Sequence, residues 1–202
     1  MFVVFDDMQY TKRDWRNRNL IKTPNGLKWL TIPVEVKGKY HQKIKDTKVA
    51  DKNWVKSHLN ALEINYKNAK CFNEIWDWVQ ELYLNCKFQF LTDINMYFIQ
   101  AINEFLEIKT EILFSDNFNL HDDRNMRLIN ICKELSGNTY LSGPSAKQYL
   151  DEQLFNKSGI NVKYLNYSNY PEYNQLYNDF EHGVSILDLI FNMGDQSKLY
   201  IS

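Results

Sequence analysis

The pattern of residues 111–167 constrains the fold more than any other feature of this chain. Three short apolar segments alternate there with two amphipathic ones: residues 111–115, 122–137, 138–142, 144–156 and 161–167. The apolar segments have the length of strands, and the amphipathic segments have helical spacing. Strands that alternate with helices through short loops form parallel sheets with right-handed crossovers. The sequence therefore predicts an α/β fold with a mostly parallel sheet flanked by helices.

The rest of the chain predicts one further strand, one hairpin and four helices. Residues 2–5 are β-branched and aromatic without polar alternation, which is typical of a buried strand. The pair Asn25-Gly26 predicts an antiparallel hairpin of residues 17–23 and 27–34, closed by a type I′ turn. Apolar residues recur at helical spacing in residues 51–66, 72–88, 93–109 and 185–193.

Length and composition favour a single α/β domain over residues 1–202. The hydrophobic fraction is 44% and the charged fraction 24%, as in ordinary globular proteins. No apolar run approaches the ~20 residues of a membrane span, and no signal-peptide pattern opens the chain. Cys71, Cys86 and Cys132 lack metal or redox spacing and fall at apolar helical positions, which indicates reduced thiols in a cytoplasmic protein.

Charge is distributed unevenly along the chain. Residues 1–60 hold 13 lysines and arginines against 6 acidic residues, whereas residues 61–202 hold 11 against 19. The basic excess can attract a phosphorylated ligand, although many of these lysines fall in the polar segment 37–56 and are typical of a solvated face. A pI near 6.4, with no basic stripe elsewhere, argues against nucleic-acid binding.

The loop that follows the first strand carries acids, bases, an amide, a phenol and an indole, and functional residues concentrate on such loops. Its candidate substrate-binding residues are Asp6, Gln9, Tyr10, Arg13, Trp15, Arg16 and Arg18, and Asp7 is a candidate general base. The arginines can hold a phosphate or carboxylate through their planar guanidinium groups, or pair with the aspartates in a structural network. Adjacent strand residues point to opposite faces, so the Asp6-Asp7 pair is a weak metal signal and no metal is predicted.

A second polar segment is predicted at the same edge of the sheet, because ligands of open parallel sheets bind at the carboxyl ends of the strands. In Ser142-Gly143-Pro144-Ser145, Gly143 permits close backbone approach, and Pro144 suits the start of a helix whose N–H groups favour an anion. The segment is equally typical of a tight turn with Ser142 or Ser145 as helix cap. Ser142, Gly143 and Ser145 are therefore further candidate ligand-binding residues.

His58 is a second candidate catalytic residue beside Asp7. It falls on or next to the apolar stripe of its predicted helix, so it is either a packed, hydrogen-bonded histidine or a general base. His182 precedes the last helix and is a base or an entrance cap. With His41 and His121 it forms no spacing typical of zinc ligands.

Several blocks of the sequence resemble the WbqC-like family. They are Phe5-Asp6-Asp7-Met8-Gln9-Tyr10 with Arg16-Asn17-Arg18, residues 30–34, Trp54 with His58, residues 140–150 and residues 185–194. The blocks follow one another in order over nearly the whole chain. Family members begin with a further strand and helix, so the resemblance implies an N-terminally truncated domain.

The resemblance also implies a function. The family is found with bacterial O-antigen and other surface-polysaccharide genes, which implies a cytoplasmic step in sugar-precursor modification. Together with the polar residues at the strand ends, this favours a transferase that moves an acyl or aminoacyl group onto an amino sugar. The implied partners are a nucleotide- or lipid-linked sugar and the donor of that group, with no cofactor. A non-catalytic binding or scaffold protein of the same assembly pathway is the alternative.

Overall fold

The computed structural model describes residues 1–168, 170–177 and 179–201. Its strands are β1 (Phe2–Val4), β2 (Arg18–Thr23), β3 (Gly26–Thr31), β4 (Ile112–Phe114), β5 (Thr139–Ser142) and β6 (Asn161–Tyr164). Its α-helices are α1 (Trp54–Tyr66), α2 (Phe72–Asn85), α3 (Leu91–Phe105), α4 (Arg124–Glu134), α5 (Glu152–Lys157) and α6 (Ile186–Met193). These elements form two compact units, a smaller one of residues 1–7 and 110–170 and a larger one of residues 8–109 and 171–201.

The smaller unit contains the parallel strands. β1 pairs with β4 and β5 pairs with β6, both in parallel, and each two-stranded sheet is separate within the described part of the chain. The helices α4 and α5 pack through Ile129 and Phe155, which are both fully buried. The α/β class and the parallel pairing confirm the prediction from sequence, although the strands form two pairs rather than one wide sheet.

The larger unit contains the hairpin, three long helices and the terminal helix α6. Its core draws on every one of these elements, and its buried side chains include Ile21, Leu62, Tyr66, Val79, Ile94, Ile190 and Phe191. The ring of Tyr66 stacks on Phe191 with 5.0 Å between centroids, so α1 and α6 lie side by side. Complete burial of one such side chain stabilises a fold by about 1.5–3 kcal/mol.

The β2–β3 hairpin forms where the sequence predicts it, but its turn is of another kind. Thr23 pairs with Gly26, so Pro24 and Asn25 occupy the tip. Only Gly26 has a positive φ there, at +98°, whereas a type I′ turn needs two such residues. Pro24 holds φ near −65°, which excludes the positive φ that a type I′ turn needs at its first central residue. The type I′ prediction is therefore wrong.

The outer edge of β2 is hydrogen bonded by two other parts of the larger unit. Ser185 N donates to Leu20 O at 2.7 Å, and Lys22 N donates to the hydroxyl oxygen of Tyr66 at 3.2 Å. Ser185 also caps α6, where its hydroxyl accepts from Leu187 N. The start of the terminal helix is thus fixed to the hairpin.

The segment after β5 differs from the single helix predicted for residues 144–156. A five-residue 3₁₀ helix, Pro144–Gln148, comes first, and α5 follows as a separate helix. Asp151 starts that second helix, because its side chain accepts a hydrogen bond from Leu154 N at 3.0 Å. A new cap inside the predicted helix divides it in two.

No helix in residues 1–168, 170–177 and 179–201 has the length and apolar character needed to span a membrane.

Candidate functional site

The loop of residues 11–18 is built around Asp14. Its carboxylate accepts hydrogen bonds from Trp15 N at 2.6 Å and from the Thr11 hydroxyl at 2.6 Å. The first of these caps the short 3₁₀ helix Trp15–Asn17. Arg13, just before this cap, has a left-handed backbone with φ +60°. One carboxylate therefore fixes the turn that carries the predicted arginines.

Side-chain amides hold the same loop from the interior of the larger unit. Asn17, which is buried, donates from Nδ2 to Ile32 O at 2.9 Å and accepts from Ile32 N at its own carbonyl at 2.8 Å. Asn95 on α3 donates to Arg16 O at 3.0 Å. The backbone of the loop is thus tied to β3 and to α3, so the arginine positions are preorganised.

Arg16 projects from this fixed backbone beside an indole. Its Nη1 donates to Asp14 and, at 3.0 Å, to the Thr11 hydroxyl. Its guanidinium carbon lies 5.3 Å from the centre of the Trp15 ring. Trp15 itself is 75% exposed, which is unusual for an indole. The pair presents a cation and an open aromatic face to solvent.

Arg18 forms a second pair of the same kind at the start of β2. Its guanidinium carbon lies 4.0 Å from the centre of the Trp29 ring, within cation–π distance. It also donates to Arg13 O. Its Nε is buried and has no hydrogen-bond partner among the described residues. We call Arg13, Trp15, Arg16, Arg18 and Trp29 the arginine–tryptophan surface.

Tyr10 and Gln9 support this surface rather than belong to it. Tyr10 is buried, and burial raises the pKa of its hydroxyl while the nearby charges of Arg16 and Arg18 act in the opposite direction. Gln9 donates from its amide to Tyr40 O at 2.7 Å. Tyr10 is thus buried close to both arginines, whereas Gln9 is exposed, and substrate binding by these two residues stays a prediction.

His58 has the surroundings of a packed histidine. It is 7% exposed, and its ring lies 5.1 Å from that of Trp54. Its Nε2 hydrogen bonds to Thr31 O at 3.0 Å, so this nitrogen carries the proton. Burial lowers its pKa, although the bond to Thr31 opposes this. Because Thr31 pairs with Arg18 across the hairpin, His58 fixes the strand position opposite an arginine of the surface.

The predicted residues at the strand ends belong to the smaller unit. Val4 pairs with Phe114, which places Asp6 and Asp7 after β1 close to Ser115 after β4. Asp6 and Ser115 are buried, and the Ser115 hydroxyl has no hydrogen-bond partner among the described residues. Parallel pairing thus gathers polar groups at this edge, but the segment of Ser142 does not share it, because β5 pairs only with β6 in the described chain.

The other parallel pair carries Ser142, Gly143 and Ser145. Leu165 N donates to Ser142 O at 2.8 Å, which continues the pairing of β5 and β6 to that residue. Gly143 occupies the cap position of the 3₁₀ helix, and no side chain caps it. Ser145 is exposed. The cap suggested for either serine is therefore absent at this helix, and ligand binding by these three residues stays a prediction.

The sequence did not indicate two members of this arrangement, Trp29 and Asn95. Trp29 lies in the predicted hairpin without a predicted role, although alternation in a strand can indicate an exposed tryptophan. Pairing of the loop arginines with aspartates was one of the two predicted alternatives, and Asp14 pairs with Arg16 in this way. Asn95 is remote in sequence, and nothing in its own segment indicates this contact.

The fold and the site define an α/β protein that presents arginines against exposed indoles beside a hairpin. The chain belongs to the WbqC-like protein family, whose model matches residues 1–200. It is similar to Uncharacterized protein Rv1507c of Mycobacterium tuberculosis (strain ATCC 25618 / H37Rv), with 46% identity over 200 residues, which are 99% of this chain and 87% of that protein. No solved structure matches the chain.

Proposed function

We propose that the protein binds a phosphorylated sugar precursor of a bacterial surface polysaccharide through the arginine–tryptophan surface. The observation that carries the proposal is the pairing of two guanidinium groups, Arg16 and Arg18, with two exposed indole rings, Trp15 and Trp29. Membership of the WbqC-like family fits a polysaccharide-related role.

The charge of the surface suits a phosphate group. Arg13, Arg16 and Arg18 supply three positive charges, and Asp14 is the acidic residue inside the loop. Guanidinium groups bind phosphate through paired N–H donors, which gives direction as well as attraction. A diphosphate is therefore the ligand group that this surface fits.

The indoles suit the rest of such a ligand. An exposed aromatic face stacks on a nucleobase through its π-system and packs against the apolar faces of flat groups such as sugar rings. Trp15 lies in the fixed turn and Trp29 in a strand, so neither ring needs extensive ordering on binding. Low ordering cost increases the affinity that a given contact area provides.

We further propose that the bound sugar is the acceptor of an acyl or aminoacyl group, with Asp7 as the general base. A carboxylate at the end of a strand is a suitable group for accepting a proton from an amine or hydroxyl. For His58, the buried ring and the bond to Thr31 favour a positioning role over proton transfer. The transfer step requires a donor that carries the activated acyl group.

The binding proposal is tested with a nucleotide-diphosphate amino sugar, by calorimetry on the wild type and on Arg18→Gln. Loss of a charge-assisted hydrogen bond weakens binding by about 10- to 100-fold. Lys28→Gln is the matched control, since Lys28 is exposed on the same hairpin and pairs with Ile21 rather than with the arginines. Equal affinity in the wild type and Arg18→Gln, or no binding to the wild type, would contradict the proposal.

The transfer step has its own test. Incubation of the protein with the amino-sugar nucleotide and candidate acyl donors is followed by mass spectrometry of the sugar. Asp7→Asn should abolish product while leaving calorimetric binding of the nucleotide sugar within about twofold, since the base is not part of the arginine surface. Product formation at the wild-type rate by Asp7→Asn would exclude Asp7 as the base.

The non-catalytic alternative remains a second candidate because of Trp15. A tryptophan that is 75% exposed is the type of residue that anchors protein–protein interfaces. Under this alternative, Trp15→Ala abolishes recovery of a polysaccharide-assembly enzyme in a pull-down, whereas Asp7→Asn does not affect polysaccharide production in cells. Loss of polysaccharide in Asp7→Asn cells with intact pull-down would favour the transferase.

A further inference from the structure

A cavity of about 440 Å³ lies in the larger unit, between the tip of the hairpin and residues 177 and 179–181. Its lining includes Lys22, Leu27, Tyr177, Asp179, Phe180 and Glu181. The volume lies in the range of small-molecule sites. None of these residues belongs to the arginine–tryptophan surface, so the cavity is a separate feature of the molecule.

Lys22 is a buried cation that interacts with the buried carboxylate of Asp188 only through space, without a hydrogen bond to it. It is 5% exposed, and its Nζ donates to Asp179 O at 2.5 Å and to Tyr177 O at 3.5 Å. Among the described residues, no carboxylate lies within 4 Å of it. An ammonium group has three hydrogens, so one remains for a ligand. Because Lys22 lines the cavity and keeps a charged donor, it favours an anionic ligand group there.

The wall opposite Lys22 is held in one shape without a ligand. Tyr177 and Asp179 both have left-handed backbones, with φ +69° and +54°, and both carbonyls point to the lysine. The Tyr177 hydroxyl donates to Asn65 O at 2.7 Å. Gln175 donates to Glu181 O and accepts from Glu181 N, each at 2.9 Å. These bonds indicate a preformed site rather than a gap in the packing.

The charges of the lining select the kind of ligand. Asp179 and Glu181 are acidic, so together with Lys22 the wall carries one positive and two negative groups. Such a wall repels a multiply charged anion such as a nucleotide. One carboxylate oxygen of Glu181 accepts from Gly183 N at 2.8 Å, and the other accepts no hydrogen bond within the described chain. That second oxygen is available for an ammonium group.

The remaining lining is apolar. Leu27 is 46% exposed on the hairpin, and Phe180 lies on the other side of the cavity. An apolar side chain of a ligand would bury these surfaces, whereas a polar one would gain no partner from them. The lining thus combines a cation, a carboxylate and an apolar patch.

We propose that this cavity binds a small zwitterion, an α-amino acid with an apolar side chain. Lys22 holds its carboxylate, Glu181 holds its ammonium group, and Leu27 and Phe180 cover its side chain. The site stands on its own observations and does not require the proposed sugar-binding function. Lys22 and Arg18 lie four residues apart on one face of β2, roughly 13 Å along the strand, so both ligands would contact the same face of the hairpin.

The test uses L-valine as the probe, with thermal unfolding and calorimetry on the full chain. Valine raises Tm. Isovalerate lacks the ammonium group, isobutylamine lacks the carboxylate, and inorganic phosphate carries only negative charge, so none of these three compounds raises Tm. Glu181→Gln weakens valine binding by about tenfold, since a charge-assisted bond becomes a neutral one. Lys22→Met abolishes measurable binding. Lys28→Met and Arg18→Gln, which leave the cavity intact, bind valine as the wild type does.

Several results would overturn the proposal. These are the absence of a Tm shift with valine and with each other apolar amino acid, binding of isovalerate or phosphate as tight as that of valine, and unchanged affinity in Glu181→Gln. If Lys22→Met does not fold, Leu27→Trp replaces it, because an indole at that exposed position fills the cavity without removing a buried charge. Wild-type valine affinity in Leu27→Trp would place the amino acid elsewhere.

Discussion

Arg18 illustrates how a residue recognised from its type acquires its role from its neighbours. Sequence predicts an arginine that binds an anion or pairs with a carboxylate. In the structure it donates to a carbonyl, stacks on Trp29 and lies opposite Thr31, which His58 holds. The sequence indicated that Arg18 binds an anion or a carboxylate, but it did not indicate Trp29 as its partner. Only the register of the hairpin brings Trp29 beside Arg18.

The burial of His58 predicts how the stability of the protein depends on pH. Burial lowers its pKa in the folded protein below the value of about 6.5 in the unfolded chain. The unfolded state therefore binds this proton first as pH falls. The stabilisation from a neutral His58 is complete above pH 6.5 and decreases as pH falls from 6.5 towards the lower folded pKa.

Urea unfolding at pH 7.5 and pH 5.5 measures this effect. His58→Gln retains an N–H donor for Thr31 O and removes the titration, so the decrease in unfolding free energy between the two pH values should be smaller in the variant. His41→Gln changes an exposed histidine and should retain the wild-type decrease. The same decrease in His58→Gln as in the wild type would show that another group controls it.

Asp14 carries a second residue-scale prediction. Its carboxylate caps the turn, accepts from Thr11 and pairs with Arg16, so Asp14→Ala removes all three contacts. Loss of a cap costs about 0.5–2 kcal/mol, and the unfolding free energy should fall by about that amount. Asp122→Ala is the control, because Asp122 is exposed and its carboxylate accepts no hydrogen bond from the described residues. Asp14→Ala should also weaken nucleotide-sugar binding, because Arg16 loses the carboxylate that orients it. Unchanged stability and unchanged binding in this variant would contradict the role assigned to Asp14.

At the scale of elements, long periodic helices were predictable and turns were not. The helices α1, α2, α3 and α6 lie where the apolar spacing places them, because each buries one face against the same core. The hairpin was also predicted correctly, but its turn was not. Asn25-Gly26 indicates a type I′ turn only when the preceding residue can adopt strand geometry. Here the preceding residue is Pro24, which lies in the tip of the hairpin instead. Likewise, Asp151 divides a predicted helix because a local cap outweighs the continued pattern.

Substitution of Gly26 tests whether the turn of the hairpin requires a glycine. Its φ of +98° is unfavourable for any residue with a Cβ, although a Cβ there would meet no atom within 4 Å. Gly26→Ala should therefore lower the unfolding free energy by about 1 kcal/mol through backbone strain alone. Gly143→Ala, at φ −69° with its nearest neighbour at 3.6 Å, should change it by less than about 0.5 kcal/mol. Equal stability of the two variants would rule out strain at the turn.

At the scale of the whole molecule, the candidate site residues divide between the two compact units. The smaller unit holds Asp6, Asp7, Ser142, Gly143 and Ser145, and the larger unit holds the others. Sequence predicts one strand edge shared by both groups, whereas the first group lies at the ends of two separate strand pairs and the arginine loop belongs to the larger unit. Their joint use in one reaction remains a proposal, because hydrophobic periodicity fixes elements and says little about long-range assembly.

A buried polar network joins distant parts of the chain in the larger unit. Asp188 is fully buried and accepts hydrogen bonds from Tyr66 at 2.7 Å and Tyr173 at 2.9 Å. Burial raises the pKa of this carboxyl group, while the two hydroxyl donors act in the opposite direction. Each donor therefore favours the ionised form of a group that is costly to bury.

Removal of one donor should be costly. Tyr66→Phe removes one of the hydroxyl donors to Asp188 and leaves the N–H of Lys22 without its partner, so we expect a loss of about 1–3 kcal/mol in unfolding free energy. Tyr40→Phe, at an exposed ring, should have little effect. The loss in Tyr66→Phe should be smaller at a pH where Asp188 is protonated in the folded state. Urea unfolding of the wild type and of both variants at several pH values measures these changes in unfolding free energy. A Tyr66→Phe variant as stable as Tyr40→Phe would show that this network contributes little.

The hydrogen bonds on the outer edge of β2 have a consequence for self-association. An unpaired edge strand is a template on which another chain can add a strand, and two-stranded sheets have little else to protect them. Here Leu20 O is occupied by Ser185 N and Lys22 N by the Tyr66 hydroxyl. The hairpin can therefore expose Trp29 and Leu27 on one face while its β2 edge offers no vacant backbone groups at these positions for aggregation.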